Sequence, residues 1–219
     1  MSFFPKKWYN DYYKNKDLCK DRYANVRYSK ALERAPVKNG MNILDIGCVS
    51  GTLYRKLQSK EIDCNYICVD VIDQEVTGLP SGKNLQYLEC DITTGIDLPD
   101  KWADRIYCLE VIEHVRDPMA AVEEICRILK PDGIGVISVP NPYFWDTILA
   151  NFLKNKSDSC HISAWTWIEM INLLEFGGLD LIESAKTYNI IPLCWKGQRK
   201  GKYFSGRRGF PFSHIISSM

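Results

Sequence analysis

The sequence predicts an α/β fold, a doubly wound and mainly parallel sheet, and three observations carry that expectation. Five short apolar segments, near residues 41–46, 64–71, 85–90, 104–109 and 134–139, end at or beside a turn residue or an acid, with stretches between them long enough to cross over. After the first segment come Gly47 and Gly51, and then Leu53 and Leu57 at helical spacing, which makes a strand, a tight turn and a helix. Three acids, Asp45, Asp70 and Asp91, fall with both glycines at strand C-terminal ends, where ligands bind in such sheets. The order expected, a helix and then β-α-β-α-β-α-β-α-β, implies parallel strands and right-handed connections.

Composition sets the bounds. A chain of 219 residues, 46% hydrophobic and 25% charged, is long enough for one core with decorations. Its formal net charge of +1 creates no overall field that argues for DNA or a membrane. No run of about 18 apolar residues predicts a transmembrane helix, and the N-terminus lacks a signal-peptide core, so a cytoplasmic protein is expected. The nine cysteines are scattered singly without a C-x-x-C pair, and several lie in apolar strands. Buried reduced thiols are expected rather than disulfides or zinc ligands.

In chain order, residues 1–39 form an N-terminal helical segment, with helices near 6–14 and 22–34 and an aromatic group of Trp8, Tyr9, Tyr12 and Tyr13. The α/β core that follows is expected over 40–195, beginning after the Pro36–Gly40 boundary. In the first turn the spacing is Gly47-x-x-x-Gly51 with Val49 between, and Asp45 lies two residues before the first glycine. An acid there repels a pyrophosphate and favours a cationic ligand, such as the ammonium and sulfonium of S-adenosylmethionine. The second strand ends in Asp70, 19 residues beyond Gly51, well placed to accept ribose hydroxyls. Asp91 follows the third strand, and Glu110-Val-Ile-Glu113-His114 follows the fourth. A helix over 119–129 starts near Pro118 and ends in Lys130-Pro131-Asp132-Gly133, before the fifth strand. Residues 141–160 read as an insertion with a helix near the mouth of the site. A helix over 165–176, a sixth strand over 179–185 and an edge strand around 189–195, with antiparallel pairing open to it, complete the core. Residues 196–219 form a basic C-terminal tail whose cations and aromatics suit phosphate, an anionic lipid surface or single-stranded nucleic acid, or simply solvent.

The residues D-x-G-x-x-x-G, with Val49 as the departure, resemble the first motif of class I S-adenosylmethionine-dependent methyltransferases, which have a Rossmann-like fold. The stretch from Cys108 to Pro118, together with Leu129-Lys-Pro-Asp-Gly133, resembles the type 11/type 23 small-molecule group, which includes ubiquinone-biosynthesis O-methyltransferases. The resemblance covers residues 39–139 best. It implies S-adenosylmethionine as cofactor, held by Asp45, Gly47, Cys48, Gly51, Asp70, Val71, Asp91, Ile92, Leu109 and Glu110, with Asp91 near the adenine amino group. It also implies that the N-terminal aromatics form part of a cover over the cofactor.

Methyl transfer from a sulfonium needs alignment and exclusion of water, and a base only where the nucleophile starts protonated. His114 is the first candidate for base or acceptor contact, because histidine titrates near neutral pH and this one follows the fourth strand; His161 is the second. Glu110, Glu113, His114 and His161 could also offer ligands to Mg²⁺ or Mn²⁺, an arrangement that resembles metal-using quinone and small-RNA 2′-O-methyltransferases, although no metal is the expectation. The function expected is methylation of an oxygen, less readily a nitrogen, of a small or anionic acceptor. RNA methylation using the tail and a non-catalytic S-adenosylmethionine-binding module are the alternatives. A nicotinamide oxidoreductase is disfavoured by Asp45 and the missing middle glycine. No motif names the acceptor or the oligomeric state.

Overall fold

The computed structural model describes residues 5–14, 22–143, 162–184 and 190–198. Two helices, α1 (Lys6–Lys14) and α2 (Arg22–Arg34), precede a seven-stranded sheet. Its strands are β1 (Asn42–Ile46), β2 (Asn65–Asp70), β3 (Leu85–Glu89), β4 (Ala103–Leu109), β5 (Leu129–Pro140), β6 (Leu179–Ser184) and β7 (Ile190–Gln198). Between them lie α3 (Thr52–Gln58), α4 (Pro118–Ile128) and α5 (Trp167–Phe176).

The strand order is β3-β2-β1-β4-β5-β7-β6, parallel through the first five and antiparallel at β5/β7 and β7/β6. The chain runs outward from β1 to β3 and then returns to β4 on the other side of β1. That reversal opens a crevice at the C-terminal ends of β1 and β4, the usual ligand position in such sheets. Pairing of Ile46 with both Val69 and Cys108 sets Gly47, Asp70 and Leu109 level along that edge.

The sheet is covered on both faces, which is why its strands read as near-continuous apolar runs. One core joins Leu44, Ile46, Ile106 and Cys108 to α4 and α5; the other joins Ile43, Tyr66, Tyr107 and Leu109 to α2 and α3. Alternation along β1 and β4 assigns neighbouring residues to opposite cores.

Several elements differ from expectation. The β2–β3 and β3–β4 connections carry only the short turns Gln74–Val76 and Ile92–Thr94 in place of α-helices, the first of them in a stretch broken by Gly78, Pro80 and Gly82. β5 starts at Leu129 and takes in Pro131 and Asp132, because Leu129 pairs with Ala103. α5 starts at Trp167, since Thr166 and Glu169 form a reciprocal capping box. The last strand is antiparallel but lies between β5 and β6, so β6 is the edge. β7 continues through Lys196 to Gln198, into the stretch expected to begin the basic tail. Residues 144–160, expected to hold an inserted helix, and tail residues 199–219 lie outside the described residues. Among the described residues, no helix is long and apolar enough to cross a membrane.

Candidate functional site

A cleft of about 630 Å³, mouth included, opens over the C-terminal ends of β1, β2, β3 and β4. Its floor is the first turn. Gly47 has φ +75°, and a Cβ there would stand 2.3 Å from Val111 Cγ2, so both the backbone and the space demand glycine. Gly51, at φ +61°, opens α3. Arg55 donates to the carbonyls of Ser50 and Gly78, clasping the turn from behind.

Asp70 ends β2 on the cleft wall. Its carboxylate accepts the N–H of Val71 at 2.8 Å and of Val49 at 3.3 Å. Burial pushes its pKa up to about 6, and these backbone donors hold it from rising further. It is therefore mostly ionised at neutral pH and able to accept from a ligand. Val49, the departure from the glycine motif, lines the cleft and uses its N–H to hold this acid.

Asp91 turns the chain after β3: its side chain accepts from Thr93 N at 3.0 Å and Thr93 Oγ1 at 2.7 Å, capping the turn that presents Ile92 to the cleft. After β4, Glu110 takes φ +60°, a strained conformation for a non-glycine residue and one that clusters at functional sites. Its Oε1 accepts from Ser138 Oγ at 2.9 Å, and its N–H donates to the Ser138 carbonyl at 3.0 Å. His114 lies on the same wall, with Nε2 3.8 Å from Glu113 Oε1. Glu113 itself has no exposed surface; burial, and then the charge of Glu110, push its pKa well up. The Glu113 carbonyl accepts from Ile162 N at 2.9 Å and Ser163 N at 3.3 Å, bringing the chain after the insertion against this turn.

The structure thus gathers Gly47, Asp70, Val71, Asp91, Ile92, Glu110 and His114 around one cleft. Four other expected residues stand one layer behind it. Asp45 is fully enclosed, accepting from Tyr66 Oη at 2.6 Å and Tyr28 Oη at 3.3 Å, and burial pushes its pKa up to about 7. It ties α2 to β1 and stands outside the cleft lining; Asp70, Asp91 and Glu110 are the acids on the wall. The Cys48 and Leu109 side chains are packed in the α2/α3 core, and Gly51 is backed by Arg55 and Leu79. His161 lies outside the described residues. Among the described residues no three His, Cys, Asp or Glu side chains gather as a metal-ligand group, since Glu113 is enclosed and Glu110 is turned to Ser138.

Two of the four N-terminal aromatics, Tyr9 and Tyr13, reach the wall. Their i, i+4 spacing was the available signal, because it puts both on one face of α1. Val111 and Val115 were missed. They are apolar residues of an irregular segment, where periodicity gives no direction.

An apolar cleft with an ionised acid at the end of β2 and a glycine floor fits a nucleoside-bearing cationic cofactor. Comparison with known proteins agrees. The chain is similar to the mitochondrial ubiquinone biosynthesis O-methyltransferase of Dictyostelium discoideum, 29% identical over 139 residues, which cover 56% of this chain and 43% of that protein. It is also similar to the thiol S-methyltransferase TMT1B of Rattus norvegicus, 25% identical over 180 residues, 76% of this chain and 72% of that protein. The chain spans less than half the length of the first curated relatives it matches. Among solved structures, a complex of the Haloferax volcanii Trm112 methyltransferase activator with a methyltransferase gives a TM-score of 0.75 at 18% identity, covering 90% of this chain and 99% of that one. The [4+2]-cyclase SpnF gives 0.63 at 13% identity, covering 84% and 86%, so the fold by itself does not dictate the chemistry. The family model for a methyltransferase domain matches residues 21–184. With that match over most of its length, the chain belongs to the methyltransferase domain family, whose cofactor is S-adenosylmethionine.

Proposed function

We propose that the chain transfers a methyl group from S-adenosylmethionine to an oxygen of a small acceptor. The observation that carries this reading is the convergence of Asp70, the Gly47 turn and His114 on one cleft. Bound there, the cofactor supplies a methyl group already activated as a sulfonium. Asp70 accepts from ribose hydroxyls, Gly47 permits close approach of the backbone, and Asp91 and Ile92 border the adenine. Glu110, fixed by Ser138, gives negative potential near the cationic end. His114 takes the proton of an acceptor hydroxyl, a role typically worth about 10²–10⁴-fold in rate. Tyr9 and Tyr13 exclude water from the reacting atoms.

The oxygen acceptor is supported by the relatives named for ubiquinone O-methylation. The thiol S-methyltransferase relative, which covers more of the chain, favours a second reading in which the acceptor is a thiol. A thiol is far more acidic than an alcohol and its thiolate is a strong nucleophile, so it needs less help from a base. Labelled methyl transfer to catechols and to alkyl thiols, in wild type and His114→Ala, separates the two. Catechol methylation that depends on His114 supports the oxygen reading; thiol methylation unaffected by the substitution supports the other. Turnover with either sinks the non-catalytic alternative. The RNA alternative rests on tail residues 199–219, outside the described residues. Six cysteines among the described residues are free thiols, all buried or half-buried.

A further inference from the structure

Lys6 and Asn10 lie four residues apart on α1 and therefore share a face. Both meet Asp73, three residues after Asp70. Asn10 Nδ2 donates to Asp73 Oδ2 at 2.6 Å, and the Asp73 N–H donates back to Asn10 Oδ1 at 3.0 Å. Lys6 Nζ is 2.5 Å from Asp73 Oδ1 and also pairs with Glu89, which stands opposite Asp70 in the β2/β3 register. Hydrogen bonding to Asp73 raises the Lys6 pKa, and the same bond lowers that of Asp73.

The two kinds of contact differ in weight. The Lys6 and Asp73 side chains are half-exposed, so their pair is weak and screened by salt. Asn10 is only 7% exposed, so its enclosed amide needs its partners. Within α1 the rings support one another: Trp8 stacks on Tyr12 at 5.1 Å and meets Tyr9 edge-on at 5.2 Å, while Tyr12 meets Tyr13 edge-on at 5.1 Å. The helix therefore presents Tyr9 and Tyr13 to the cleft as a unit.

We propose that Asp73 is a positioning residue that couples occupancy of the Asp70 site to docking of α1. A ligand drawn onto Asp70 fixes the 70–73 loop; Asp73 then seats Asn10 and Lys6, which brings Tyr9 and Tyr13 to the wall. This rests on the cofactor reading above and adds to it the residues through which binding at the sheet edge is transmitted to the N-terminal helix.

The test uses the full chain, hydrogen exchange of residues 6–14 and calorimetric titration with S-adenosylhomocysteine. In wild type, saturation with ligand is expected to increase α1 protection. Asp73→Ala and Asn10→Ala should lose that gain and bind about 10-fold more weakly, the loss expected from an enclosed hydrogen-bonded pair. Asp73→Asn, which keeps an acceptor for Asn10, should retain most of the affinity and lose only part of its dependence on salt, since the Lys6–Glu89 pair remains. Lys6→Ala serves as the mildest variant should the others fold poorly, and it should lose the salt dependence. Protection of α1 that ignores ligand, or variants that bind as wild type with α1 unprotected, would overturn the coupling alone. Absence of binding by folded wild type would overturn the cofactor reading and the coupling together.

Discussion

The Tyr66 hydroxyl donates to the Asp45 carboxylate over 2.6 Å, inside a shell that leaves Asp45 no exposed surface. Tyr28, from α2, adds a second donor at 3.3 Å. A buried acid near the end of β1 thus anchors the helix packed behind the glycine turn.

Asp45 makes stability depend on pH in a definite direction. Its folded pKa of about 7 lies above the unfolded value near 3.9. Between about pH 4 and pH 7 the folded state holds a proton that the unfolded state has lost, so this group's contribution falls as pH rises and is level above that window. Urea unfolding of Asp45→Asn against wild type should shift in favour of the variant from about pH 4.5 to about pH 7.5. Tyr66→Phe removes the shorter donor and should cost about 1–3 kcal/mol near neutral pH.

Gly47→Ala should destabilise the fold by about 1–3 kcal/mol, from overpacking against Val111 together with the left-handed backbone. Val111→Ala in the same chain should relieve the contact but not the backbone term, so recovery is partial. Thermal unfolding of the two single variants and the double variant measures both parts.

At Glu110 the comparison is between two truncations. Glu110→Gly and Glu110→Ala lose the same bond to Ser138, but only glycine is at ease at φ +60°. The glycine variant should be the more stable by about 1 kcal/mol in denaturant unfolding.

His114→Ala should lower kcat for a hydroxyl acceptor by about 10²–10⁴-fold while leaving S-adenosylhomocysteine affinity within about 3-fold, because its task is proton removal from the acceptor. Single-turnover methyl transfer and calorimetry check the two halves separately.

The strands and the glycine turn were legible because each is a local pattern: an apolar run, two glycines and an acid at a strand end. Asp70, Asp91, Glu110 and His114 were legible for the same reason. The enclosure of Asp45 was not legible because what surrounds it is not local; Tyr28 lies 17 residues before it and Tyr66 21 residues after it. The placement of β7 between β5 and β6 depends on long-range pairing, as in Ile137 with Leu193, to which periodicity is blind. Likewise nothing local in Asp73 announces that Asn10 will bond to it across 63 residues.

We propose that Asp70 holds the cofactor in the cleft above Gly47, a contact that calorimetric titration with S-adenosylhomocysteine reads out. Wild type should bind, and affinity should weaken as pH falls through about 6, where the Asp70 carboxylate gains a proton. Asp70→Ala should remain folded and bind at least about 10-fold more weakly, the cost of losing hydrogen bonds to an ionised acceptor. Equal affinity in the two proteins, or no binding by folded wild type, would remove Asp70 from the cofactor site.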